Sequence, residues 1–198
     1  ALVNANDFLD ASIEKVIHTL FEAFILVFIV VFLFLQDWRS TLIPAISVPV
    51  AIVGTFFFLS IFGFTINLLT LFALILAVGI VVDDAIVVVE AVHSKLENGE
   101  KSPLRASVNA MDEISGAIIS ITLVMAAVFI PVSFISGSAG VFYKQFGLTL
   151  AISIILSAVN ALTLSPALCA IFLKPHSHEE KKKNFLERFF TNFNIIFD

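Results

Sequence analysis

Asn67–Ala91 reads NLLTLFALILAVGIVVDDAIVVVEA, a proline-free apolar run interrupted by two adjacent carboxylates, Asp83 and Asp84. Its length exceeds the roughly 20 residues that one helix needs to cross the hydrocarbon core. A carboxylate at that depth costs roughly 2.5–3.5 kcal/mol on insertion scales, so an intramembrane pair points to a functional site. A helix turns by about 100° per residue, so Gly79, Asp83 and Glu90 fall on one stripe. Ala73, Ala77, Asp84 and Ala91 fall on a second stripe beside it. Small residues let a neighbouring backbone approach, so both carboxylates are expected to face protein, with Gly79 and Ala77 making room.

The rest of the 198 residues suits that setting. Mean hydropathy is +1.05 and 59% of residues are hydrophobic, which excludes a soluble domain and indicates a polytopic membrane protein. Spans are expected at about 12–35, 41–62, 67–91, 114–135 and 146–173. In the second span Pro44 and Pro49 predict a kink or a broken first turn. The fold class expected is therefore an all-α membrane protein: five transmembrane helices within 1–175 and a C-terminal amphipathic surface helix within 176–198. The tail places Phe185, Phe189, Phe190, Phe193, Ile196 and Phe197 at helical spacing, with Lys181, Lys182, Lys183 and Arg188 on the polar side, which suits a helix lying on lipid.

Lysine and arginine set the orientation. Arg39, Lys95, Lys101, Arg105, Lys174, Lys181, Lys182, Lys183 and Arg188 share one side, against Lys15 and Lys144 on the other. The first side is assigned to the cytoplasm, which makes 92–113 a cytoplasmic loop holding a surface helix, a turn at Asn98-Gly99 and a second helix from Ser102-Pro103. The first span then starts outside, which fits an internal fragment of a longer protein. Cys169 lies alone in an apolar run, so neither a disulfide nor a cysteine-based metal site can form within the chain. The spacing shows no dinucleotide, P-loop or triad pattern, and no nucleic-acid partner is expected.

Two carboxylates this close resist joint ionisation in low dielectric, and a facing Lys or Arg would relieve them. No such cation lies deep in any span. Protonation gated by access and by a distant cation is the physical content of a proton relay. Glu90, near the cytoplasmic end of the same stripe, and Glu22, inside the first span, are supporting candidates together with Gly79.

FLFLQDWRSTLIPAISVPVAIVGTF, FGFTINLLTLFALILAVGIVVDDAIVVVE and LSPALCAIFLKP, in this order, resemble the N-terminal transmembrane half of resistance-nodulation-division (RND) efflux pumps of the hydrophobe/amphiphile exporter type. The resemblance covers nearly the whole chain. It implies helices two to six of a twelve-helix bundle, and drug/proton antiport in the inner membrane driven by the proton-motive force without a cofactor. It also implies a homotrimer working with a periplasmic adaptor and an outer-membrane channel on amphiphilic drugs, dyes or detergents. Asp83 and Asp84 match the family's essential aspartate pair, whose partner cations would lie on the second half. Two alternatives remain: a protein-export or lipid-handling member of the superfamily, and an intramembrane aspartyl protease.

Overall fold

In a computed structural model of the chain, residues 5–174 are described, with side chains from residue 12 onward and Ser138 excepted. The predicted amphipathic tail at 176–198 lies outside the described residues. Six helices follow one another: α1 (Ala5–Leu35), α2 (Trp38–Ile61), α3 (Leu68–Glu97), α4 (Pro103–Val132), α5 (Ser138–Leu162) and α6 (Leu164–Phe172). Among the described residues every regular element is helical, and five candidate spans are long and apolar enough to cross a membrane. The protein is a multi-pass all-α membrane protein.

The helix ends follow from local chemistry. Asp37 caps α2, its Oδ2 accepting from Ser40 N (3.1 Å) and Ser40 Oγ (2.8 Å). Asn67 caps α3 with a reciprocal box: its Oδ1 accepts from Thr70 N (3.1 Å), and Thr70 Oγ1 accepts from Asn67 N (2.9 Å). Ser102 caps α4, with Pro103 in the first turn where its missing N–H costs nothing. Gly99 closes the α3–α4 turn at φ +101°, in the left-handed region that glycine tolerates.

Three boundaries differ from the sequence expectation. Within residues 92–113 the turn at Asn98-Gly99 and the second helix from Ser102-Pro103 are where they were expected, and the first helical piece is the end of α3 rather than a helix of its own. α3 continues to Glu97 and α4 already begins at Pro103, so only a short turn lies between them. No helix breaker intervenes before Asn98-Gly99, and the His93–Glu97 pair (3.2 Å, i,i+4) spans the extended turn. The last span is divided: α5 starts at Ser138, ends at Leu162, and α6 resumes at Leu164. Pro166 lacks the N–H that would bond the Leu162 carbonyl, and Thr163 takes φ −125°, ψ −63° at the break. α2, by contrast, runs unbroken through Pro44 and Pro49, so of the kink or broken first turn expected there the broken turn is absent.

α3 and α5 form the centre, each with half of its most apolar window buried, while α1 and α4 are outer helices. α3 touches all five other helices. One buried layer joins Val88, Val89 and Val92 of α3 to Ala106 and Ala110 of α4, Ala158 of α5 and Cys169 of α6. The outer surface of α1 presents Phe21, Ile25, Leu26, Ile29 and Phe34, the side chains that suit lipid. Basic groups collect where the charge count put them at one end of the bundle. Arg39 donates from Nη1 to the Phe172 carbonyl (3.4 Å) and lies 5.5 Å from the Trp38 ring centre, so the start of α2 and the end of α6 meet. Lys95 pairs with Glu113 across the α3–α4 turn.

Candidate functional site

The carboxylates sit past the midpoint of α3, and its two stripes have different surroundings. Ala73 (0% exposed) and Ala77 (1%) pack against Leu150 of α5, with Phe129 and Phe146 beside them. Asp84 continues that stripe and is partly buried, accepting at Oδ2 from the Ser157 hydroxyl of α5 at 2.5 Å.

The neighbouring stripe is open. Gly79, Asp83 and Glu90 are all exposed, and a Cβ built on Gly79 would meet nothing within 4 Å. Asp84 therefore faces α5 as expected, while no helix among the described residues covers Asp83. Helical arithmetic fixes the 100° between consecutive side chains but not which of them points inward. Glu90 lines an open groove with Phe34, Gln36, Ser40, His93 and Glu97, one side of it formed by the end of α1. Glu22 is exposed on α1. Asp84 and Ser157 are thus brought together, while Glu22 and Glu90 stand apart from them. Among the described residues Lys95 pairs with Glu113 and His93 lies 3.2 Å from Glu97, and neither aspartate has a cationic partner there.

Sequence reasoning passed over the partner helix. Thr149, Ser153 and Ser157 of α5 are buried and recur every fourth residue, with Asn160 one turn further on. They line the side of α5 that meets α2 and α3: Ser153 Oγ lies 3.2 Å from Thr55 Oγ1 of α2, and Ser157 reaches Asp84. The spacing 149, 153, 157, 160 in an apolar span was the available signal, a polar helical stripe in hydrocarbon. Asn67 Nδ2 donating to Gln145 Oε1 (2.7 Å) fastens the start of α3 to α5 at the opposite end.

Fold and site together define a multi-pass helical membrane protein with an ionisable pair inside its central span. The chain belongs to the AcrB/AcrD/AcrF family, whose sequence pattern matches residues 1–198, in agreement with the RND resemblance. It is similar to the solvent-resistant pump membrane transporter SrpB of Pseudomonas putida (50% identical over 192 residues, 96% of this chain). It is also similar to the multidrug export protein AcrF of Escherichia coli (49% over 188 residues, 94% of this chain). A third relative is the toluene efflux pump membrane transporter TtgE of Pseudomonas putida (48% over 192 residues, 96% of this chain). The chain spans 18% of the length of each of these relatives. They are named as transporters and an export protein, and the family is one of transporters rather than enzymes.

Proposed function

We propose that this chain is the stretch of a proton-coupled multidrug exporter of the inner membrane that carries the aspartate half of its proton relay. Asp83 and Asp84 take up and release protons, and Gly79 and Glu90 share the stripe that the partner cations approach. The full exporter would be a homotrimer acting with a periplasmic adaptor and an outer-membrane channel on amphiphilic drugs, dyes or detergents, driven by the proton-motive force. Relatives named as solvent, toluene and multidrug pumps support the substrate class.

One observation carries the relay reading. Asp84 is anchored to α5 through Ser157, while its neighbour Asp83 stands on an open stripe with no cation among the described residues. An intramembrane carboxylate needs a partner. The fixed carboxylate keeps the geometry, and the open one leaves room for a Lys or Arg from a helix of the other half. The protease alternative requires two carboxylates converging on one bond, and consecutive residues on one helix point about 100° apart.

The test is dye export by the complete transporter carrying Asp83→Asn or Asp84→Asn. Either change is expected to abolish export while leaving expression and assembly intact. Undiminished export by either variant overturns the assignment.

A further inference from the structure

A second polar constellation lies on the α2–α5 seam and touches neither carboxylate. The two helices are joined by two rungs in antiparallel register. In one, Thr55 Oγ1 and Ser153 Oγ are 3.2 Å apart, and in the other Asn160 Nδ2 donates to the Ser47 carbonyl at 3.4 Å. Residues seven apart return to nearly the same azimuth, so both rungs rise from one edge of α5. Between them the helices are close, since a Cβ on Gly54 of α2 would sit 3.2 Å from Leu156 Cδ1.

Ser47 makes a further contact. Its hydroxyl lies 3.2 Å from Ser165 Oγ of α6, and both residues are buried (1% and 0% exposed). The helix break at Thr163 falls between Asn160 and Ser165. One residue of α2 therefore holds the chain on both sides of the break, α5 through Asn160 and α6 through Ser165. At the break the carbonyls of the last turn of α5 lose the donors that a continuing helix would supply, so that turn is tied to the chain on one side only. That last turn begins two residues beyond Ser157, the donor to Asp84.

We propose that Asn160 and Ser165, gripping Ser47 from the two sides of the α5–α6 break, are positioning residues that keep the Ser157 hydroxyl in register with Asp84. The inference rests on the relay reading of Asp84 and adds that the relay is tuned by residues one helix away from it. A donated hydrogen bond is one of the interactions that set how a carboxylate exchanges its proton. Loosening the clamp therefore moves the pH dependence of export.

Among the described residues the charged groups around Asp84 are few. Asp83 adjoins it on α3, with Glu90 and His93 further along the same helix. The other titratable side chains on helices packed against α3 stand elsewhere: Glu14, Lys15, His18 and Glu22 exposed on α1, Arg39 in the first turn of α2, and Arg105, Asp112 and Glu113 in the first three turns of α4. Tyr143 and Lys144 lie in the second turn of α5, and Cys169 is buried in α6.

The experiment is dye export by the complete transporter in proteoliposomes as a function of pH. Asn160→Val is expected to shift the midpoint by roughly half a unit, the scale of one intramembrane polar contact. Ser157→Ala is expected to shift it the same way, and the double variant no further than Ser157→Ala alone, because both act through one hydrogen bond. Should Asn160→Val fail to assemble, Ser165→Ala, which removes a single oxygen, carries the same prediction with a smaller shift. A wild-type pH profile in the assembled clamp variants, or fully additive shifts, overturns the inference. Undiminished export by Asp84→Asn instead overturns the relay reading beneath it, so the two failures are distinct.

Discussion

The two stripes of α3 differ in what surrounds them although they differ little in composition. Ala73, Ala77 and Asp84 are locked against α5, whereas Gly79, Asp83 and Glu90 look outward. A glycine and an alanine two residues apart, Ala77 and Gly79, thus have opposite roles. Ala77 is small because Leu150 and the aromatic rings behind it leave no space. At Gly79 a side chain would have no atom of another helix within 4 Å among the described residues. Small size on a membrane helix is therefore a record of close approach in one case and an open position in the other. The carboxylates divide the same way, one held by a hydroxyl and one left for a partner.

This contrast can be broken by substitution. The largest effect is expected from Ala77→Leu, which forces extra volume into the α3–α5 contact and should destabilise the bundle by about 1–3 kcal/mol. Thermal unfolding in detergent measures it, and an unchanged midpoint would mean that α3 and α5 do not meet as described. Gly79→Ala should act oppositely in this chain, stabilising by up to about 1 kcal/mol through helix propensity alone. The same change in the complete transporter separates two meanings of the open stripe: a loss of stability there locates a helix against Gly79, and a gain leaves the stripe facing lipid or water. The smallest effect is expected from Ser157→Ala, about 0.6 kcal/mol of stability, the average for a hydrogen bond between membrane helices. A loss several times larger would mean that Asp84 has no other means of satisfying its oxygens.

Much of this architecture could be read before any coordinates. Apolar runs of bilayer length gave the spans, and Asp37, Asn67 and Ser102 stand at helix starts because their short polar side chains can bond the first free N–H groups. The division of the last span was less legible. Pro166 signals a disturbance, but Pro44 and Pro49 give the same signal in α2, which stays intact. Only packing against neighbours separates the two cases. The orientation of α3 was illegible for a different reason, since a helical wheel carries relative angles and no absolute zero. The role of α5 was hidden because serine and threonine in apolar helices commonly bond their own backbone, as Thr149 and Ser153 do here. Which of those hydroxyls also reaches another helix is a property of the assembled bundle.

The α2–α5 seam has a consequence for how the protein is made. Thr55 and Ser153 are 98 residues apart in the chain, and Ser47 and Ser165 are 118 apart. At roughly 5–20 residues per second of synthesis, α5 emerges from the ribosome about 5–20 s after α2. During that interval α2 must reside in the bilayer, or beside the insertion machinery, with its seam uncovered. Thr55 is fitted for the wait, because its hydroxyl already donates to the Ala51 carbonyl of its own helix at 2.8 Å. The hydroxyl therefore enters lipid with its donor satisfied and later gains Ser153 as a second neighbour. Serine and threonine at these positions let one helix be stable alone first and specific to its partner afterwards.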